Sequence, residues 1–353
     1  MNILITGIGG PTPRSIAKLL RRINSNYKLI GVDCNTRALG FYMQDLVDSY
    51  LIIPKVNQNN YWDEIHRIIK EQNIDIAFVQ PEAEVTAWGE YKKEHGNFPC
   101  PVLIPPLPHV NALMNKANMA ELLKNTSYIP KTIVIRQGSD DGNRIKEEIG
   151  YPCWIRASVG SGGLGSLRLN SEKELAAWLF IHNEVPQFTV SEFLTGRHLA
   201  NQMLYIDGKL IKNAGLHCAA YVMADIAPSK VTGNTSYGRF INEDHLLAFC
   251  EEVMDYIQKE TKTKAHGVYS FDLKEDDKGQ LKVTEINIRH MAYTGILSQV
   301  GFDLVGDTIK YLTGKENQID SGRYFFDKDY IFLRDVDIEP IVMTESQLLD
   351  NKS

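Results

Sequence analysis

Long hydrophobic runs, basic clusters and paired cysteines are all missing from this chain, and each absence removes a class of protein. No window approaches the ~18 apolar residues that a membrane span needs. The 38 Lys and Arg are scattered among 44 Asp and Glu, and the net charge of -6 offers nucleic acid no electrostatic footprint. Five cysteines, Cys34, Cys100, Cys153, Cys218 and Cys250, are odd in number and form no C-x-x-C pair. That argues against a cysteine metal site and for a reducing compartment. The opening MNILITGIGG lacks a basic n-region, so a cytoplasmic protein is expected. What is present, 43% hydrophobic and 23% charged residues over 353 positions, is ordinary for a soluble globular chain of two or three compact units.

The first 109 residues read as α/β. NILIT at 2–6 is a short apolar strand ending in GIGGPTP, and Ile16, Leu19, Leu20 and Ile23 follow at helical spacing. KLIGVDCN gives a second strand, Tyr61, Ile65, Ile68 and Ile69 one face of a second helix, and DIAFVQPE and VLIP further strands. This order predicts a parallel sheet with helices on both faces, ending near PPLPH at 105–109. The glycine turn resembles a dinucleotide site only in part. Gly7 and Gly9 fit, but Thr12 stands where the third glycine belongs, and Pro11 and Pro13 stiffen the wrap around a pyrophosphate. Asp33 then reads as a strand-end acid, and a dehydrogenase is the disfavoured reading.

From about 110 the character changes. NALMNKANMAELLKN predicts one helix carrying Lys116 and Lys124. GYPCWIRASVGSGGLGSLRLN predicts two strands joined by a loop with Gly160, Gly162, Gly163 and Gly165. Such a hairpin can lie over phosphates through its backbone N–H groups, or can be a mobile surface hairpin. Ser171 and Glu174 form a capping box for the next helix. A third unit opens with FTVSEFLTG and closes on the strands HGVYSFDLK and LKVTEINI around the turn EDDKGQ.

Within VTEINIRH at 283–290, Glu285, Asn287 and Arg289 alternate and so share a strand face, which Leu281 and Val283 are expected to continue. Antiparallel pairing brings Asp272 beside Glu285, and three oxygen-bearing side chains converge. Oxygen ligands followed by a cation suit a hard divalent ion bridging phosphates. The last stretch, to TESQLLDNKS, alternates enough for an extra strand or two.

Flap, connecting strand and carboxylate hairpin, in that order behind an α/β unit, resemble the ATP-grasp superfamily, and most closely its short carbamoyl-phosphate-synthase-like members. The likeness covers residues 1 to about 315, and its most specific element is D-x(12)-E-I-N-x-R, here Asp272, Glu285, Asn287 and Arg289. The resemblance implies a pre-ATP-grasp parallel-sheet domain (1–109) followed by a two-lobed α+β ATP-grasp domain. Its small lobe with the flap would span 110–187, its large lobe with the metal hairpin 188–315, and a C-terminal extension 316–353. ATP and Mg2+, with Mn2+ as a substitute, are the implied cofactors. Asp272, Glu285 and Asn287 would hold the metal, Arg289 would face the transferred phosphoryl group, and Lys116 would lie near the phosphates. Ser161, Gly162 and Gly163 would be the flap tip, and Glu192, Phe193 and Leu194 the segment that reads the adenine edge. Arg156, Arg239 and Lys230 are further cation candidates, and Glu82 and Glu84 candidates for holding an ammonium.

Three positions depart from the family pattern. Arg156-Ala157 stands where Lys-Pro is usual, keeping the charge but changing its geometry. Gly196-Arg197-His198 replaces G-x-E, and His198 is either a hydrogen-bonding partner for the ribose or an ordinary exposed imidazole. HMAYTG follows Arg289 in place of a glycine-rich stretch and leaves the acceptor side of the pocket unassigned. The implied activity is an ATP-dependent carboxylate–amine ligase that forms an amide or peptide bond through an acyl phosphate, releasing ADP and phosphate. The alternatives are carboxylation or carbamoyl-type transfer, and a largely non-catalytic nucleotide-binding module. Small-molecule carboxylate and amine substrates are the expected partners, without nucleic acid or membrane, and a homodimer is the default assembly.

Overall fold

A computed structural model of the chain describes residues 1–160, 163, 165–335 and 341–344. Its N-terminal sheet has four parallel strands in the order Ser49–Ile52, Lys28–Asp33, Asn2–Thr6, Ile76–Phe78. Both faces of the central strand are apolar because both are covered. Leu4 packs with Tyr61, Ile65 and Trp88 of two helices, Tyr61–Glu71 and Glu82–His95. Ile3 and Ile5 pack on the opposite side with Ile16 and Leu20 of the helix Pro11–Ile23.

The core under Leu4 does not stop at residue 109. It continues through Val110 and Leu113 to Met254, Tyr269 and Val283 in the large lobe. The proline-rich stretch at 105–109 is therefore a packed junction, with His109 fully buried and hydrogen-bonded to the Tyr269 hydroxyl at 2.7 Å. The single helix expected after it is two, Leu107–Leu113 and Lys116–Leu123. Asn115 breaks it with extended backbone and caps the second helix, its Oδ1 accepting from Ala117 N–H at 2.8 Å.

The small lobe is an antiparallel sheet in the order Thr132–Arg136, Gln187–Glu192, Cys153–Ala157, Leu167–Leu169. The strand Gln187–Glu192, read from sequence as the start of the large lobe, lies in the middle of this sheet. Val190 pairs with both Ile133 and Ile155, and all three sit in a core separate from that of the other units. On the helix Glu172–Ile181 the Ser171 hydroxyl accepts from Glu174 N–H, as a capping box requires. The Glu174 carboxylate reaches one residue further back than expected, to Asn170 N–H at 2.7 Å.

The large lobe is built on an eight-stranded sheet whose main path is Leu281–Asn287, Gly267–Glu275, His198–Ile206, Lys209–Tyr221, Thr235–Ile241, Tyr330–Leu333, Ile341–Thr344. Gly322–Arg323 pairs alongside Lys209–Tyr221. The C-terminal extension is thus part of this sheet, and Phe326 and Phe332 pack on Phe240. The helix Asp244–Thr261 covers one face, through Leu246 and Cys250, and the helices Thr294–Ser298 and Leu304–Leu312 cover the other, through Ile296 and Leu304. No helix among the described residues is long and apolar enough to cross a membrane.

Candidate active site

Three units meet around a cavity of ≈ 850 Å³. Asp272 and Glu285 face each other across the antiparallel strands that form its floor, in the register expected from sequence. The expected continuation of that face is corrected. Leu281 and Val283 lie in the core with Ile286 and Ile288, on the other side from Glu285. A β-bulge makes the switch: Asp272 pairs with Glu285 but Leu273 pairs with Val283, which leaves Thr284 as an extra residue. One added residue exchanges faces, so the apolar half of the strand is buried while Glu285, Asn287 and Arg289 line the cavity. The Thr284 hydroxyl fixes the bulge by donating to the Asp272 main-chain carbonyl at 3.0 Å.

The floor carries excess negative charge. Burial, then the charge on Glu285, pushes the Asp272 carboxyl up to about 7. Its side chain keeps 20% exposure, all that the surrounding protein leaves open. Asn287 Nδ2 donates to Asp272 Oδ2 at 3.1 Å. Two carboxylates and a carboxamide form a hard, oxygen-donor set of the kind that magnesium takes. No group of three or more His, Cys, Asp and Glu suited to a metal occurs among the described residues, and the third oxygen-bearing side chain beside the two carboxylates is that of Asn287.

Cations surround this floor. Lys116, 8% exposed at its side chain, sits 3.1 Å from Glu285 Oε1 and donates to the Gly160 carbonyl at 2.9 Å, tying the base of the flap to the strand pair. Arg156 donates to the Thr284 carbonyl exposed by the bulge, and the attraction of Glu285 and Asp272 partly offsets the lowering of its pKa by burial. This is what the Arg in place of Lys achieves: its planar fork reaches the main chain while keeping the charge. Arg289 Nη2 donates to Glu82 Oε1 of the first domain at 2.9 Å. His198 Nε2 is 3.8 Å from Asp272 Oδ1, but burial, then Lys274 and His217, lowers its pKa to about 4. It is neutral at pH 7, so the contact is not an ion pair.

At the other end of the cavity the walls are aromatic. Trp154 and Phe193 stand 6.2 Å apart between ring centroids, and Arg168 and Lys274 lie 4.7 and 5.4 Å from the Phe193 centroid. Phe193 and Leu194 follow directly on the small-lobe strand and line the cavity. Glu192 also borders it, but its carboxylate accepts from Lys131 N–H at 2.8 Å and is committed to the backbone. Gly163 adopts φ +80° and approaches the Val231 carbonyl, where a Cβ would come within 2.8 Å. Ser161 and Gly162 lie outside the described residues.

Two expected residues do not line the cavity. Arg239 pairs with His217 in the large sheet, while its neighbours Gly238 and Phe240 take the face that carries the cavity and its underlying core. Odd parity on the strand therefore points Arg239 the other way, beside Tyr237. Glu84 is buried, accepts from the Tyr61 hydroxyl at 2.8 Å, and has its carboxyl raised to about 7 by burial. It belongs to the first-domain core. Lys230 and Glu82 do reach the cavity. Trp154, Lys274 and Tyr221 also line it, beyond the residues the sequence points to. Trp154 had a signal, since it stands two residues before Arg156 on the same strand.

A separate antiparallel small lobe beside a bulged carboxylate hairpin, behind a parallel-sheet domain, is the arrangement of an ATP-grasp fold. The chain has the fold of the ATP-grasp superfamily, and two family models match it in sequence. Residues 3–103 match the PylC-like N-terminal domain, and residues 113–213 match the ATP binding domain of the carbamoyl-phosphate synthase L chain. No curated relative matches the chain in sequence. Among solved structures, the N5-carboxyaminoimidazole synthetase of Staphylococcus aureus complexed with ADP is similar, with a TM-score of 0.73 at 15% identity, covering 94% of this chain and 81% of that one. The biotin carboxylase domain of Hydrogenobacter thermophilus 2-oxoglutarate carboxylase, with MgADP and bicarbonate, gives 0.71 at 15% identity, covering 94% and 74%. The L-amino acid ligase of Bacillus licheniformis gives 0.66 at 14% identity, covering 94% and 79%. At these identities the likeness is one of fold.

Proposed function

We propose that the chain is an ATP-dependent carboxylate–amine ligase that joins small molecules through an acyl phosphate. The observation that carries this reading is the floor of Asp272, Glu285 and Asn287 flanked by Lys116 and Arg156 in one cavity that Arg289 also enters. Adenine recognition by itself has no use for such a set. The printed functions of the similar structures, two of them carboxylating enzymes or domains and one an amino acid ligase, support ATP-driven activation of a carboxylate.

The chemical problem is that a carboxylate resists an amine at neutral pH, since its carbon is shielded by charge and an oxide is a hopeless leaving group. A carboxylate oxygen therefore attacks the γ-phosphorus of ATP, the bond to the β,γ-bridging oxygen breaks, and ADP leaves with the electron pair. The amine nitrogen then attacks the acyl carbon, the carbon–oxygen bond to phosphate breaks, and the nitrogen loses a proton to the departing phosphate or solvent. Magnesium held by Asp272, Glu285 and Asn287 would supply charge neutralisation on the phosphate oxygens. Lys116 and Arg156 hold the phosphates from the small-lobe side, and Arg289 holds the carboxylate against them. Trp154, Phe193 and Leu194 accept the purine. The flap, drawn down through Gly160 and Lys116, keeps water from the acyl phosphate.

Carboxylation is the second reading, favoured by the likeness to a bicarbonate-bound biotin carboxylase domain. Phosphorus NMR with magnesium, ATP and pooled carboxylates and amines separates the two. ADP and phosphate that require an organic carboxylate and vanish in Glu285→Gln support ligation. ADP formed with bicarbonate alone supports carboxylation, and AMP with pyrophosphate would sink both. The five free cysteines suit a cytoplasmic setting, and a homodimer, as named for the biotin carboxylase domain, is the proposed assembly, checked by light scattering.

A further inference from the structure

Resting on the ligase reading above, we infer that the activated carboxylate belongs to an α-amino acid, taken as its zwitterion by Glu82 and Arg289. These two side chains join the first domain to the large lobe at 2.9 Å inside the cavity, and are 34% and 19% exposed. A substrate carboxylate that takes Arg289 Nη2 displaces Glu82 from it. Breaking a partly buried ion pair without replacing both partners leaves one charge desolvated and unmatched. A plain carboxylate satisfies Arg289 and strands Glu82, and a plain amine does the reverse. A molecule with ammonium and carboxylate on one carbon replaces both partners together, so the pair selects for it and against either half.

The placement fits the chemistry. Arg289 stands two residues past Asn287, the last residue of the strand, and lines the same cavity as Asn287 and Glu285, so a carboxylate on Arg289 lies beside the phosphate site and is the one whose oxygen bonds the γ-phosphorus as ADP departs. The α-ammonium stays on Glu82 and is not the attacking amine, which comes from the second substrate. The adjoining turn disfavours a phosphate-bearing substrate at this end. The helix Pro11–Ile23 turns its first residues to the cavity, but Pro11 and Pro13 have no N–H, which leaves Thr12 as the one main-chain donor among the first three positions.

The test measures ADP release with magnesium, ATP and hydroxylamine as a common acceptor, for each standard amino acid, its desamino acid and its α-amide. The expected result is at least one amino acid that turns over about tenfold or more faster than both single-charge analogues. Glu82→Gln erases most of that ratio, Glu82→Asp restores part of it, and neither changes the thermal midpoint enough to account for the loss. ADP formed equally well from desamino acids overturns the inference and leaves the ligase reading standing, as does a ratio that survives in Glu82→Gln. No ADP from any carboxylate overturns both. Should Glu82→Gln fail to fold, the wild-type ratio alone decides.

Discussion

The Thr284 hydroxyl donates to the Asp272 carbonyl at 3.0 Å, across the point where the strand changes faces. One hydrogen bond thus holds the bulge that presents Glu285 to the cavity. Thr284→Val keeps the shape and removes the side-chain donor to the Asp272 carbonyl. The expected cost is about 1 kcal/mol in a urea unfolding curve, with magnesium-dependent ATP binding weakened several-fold by titration calorimetry. Unchanged ATP binding would separate the bulge from the site.

Lys116 links the flap to the metal floor, through Gly160 on one side and Glu285 on the other. Lys116→Met keeps the stem and removes the charge. The KM for ATP is expected to rise by about tenfold or more, because Glu285 loses its fixed partner and the flap its anchor. A kcat effect alone, with KM unmoved, would place Lys116 in the transition state only.

Arg156 reaches from the small lobe to the main chain of the strand pair. Arg156→Lys retains the charge and loses the reach to the Thr284 carbonyl. We expect kcat/KM to fall by about tenfold rather than be preserved, since an ammonium is a point donor without the planar fork. Full activity in the lysine variant would mean that charge alone matters.

Glu84 should make the stability of the first domain depend on pH. Its folded pKa, about 7, lies above the ordinary 4.5 because of burial. Its stabilising contribution is therefore complete below about pH 4.5 and lost as pH rises through about 7, amounting at most to about 3 kcal/mol. Glu84→Gln keeps an acceptor for the Tyr61 hydroxyl and removes the charge. Its unfolding free energy should fall less than that of wild type between pH 5 and pH 8, and parallel curves would exclude the effect.

The parallel sheet was legible because both its faces are apolar and its helices carry apolar residues at regular spacing. The Asp272–Glu285 register was legible because the hairpin turn between them is short. The bulge was not, since the hydroxyl that stabilises it is an ordinary strand threonine in the sequence. Arg239 misled for a related reason: a strand residue's side depends on parity counted from irregularities at its neighbours, here between Cys218 and Tyr221. The strand Gln187–Glu192 was assigned to the following lobe because chain order does not reveal which sheet a strand completes. Glu82 and Arg289 are 207 residues apart, and only the folded domains bring them together.

The chain enters and leaves the small lobe through two strands that pair with each other, Thr132 opposite Ser191, with Glu192 bonded to Lys131 through both its main chain and its carboxylate. A paired ribbon bends readily across its face and resists sliding within its ladder of hydrogen bonds. With a core of its own and this ribbon as its attachment, the lobe would swing as a door on a strap, about one soft axis. Arg156 rides on the door and its catch, the Thr284 carbonyl, is on the frame. Opening would therefore withdraw a positive charge from Asp272 and Glu285 in the same movement that uncovered them, and the frame would attract a cation most strongly with the door open.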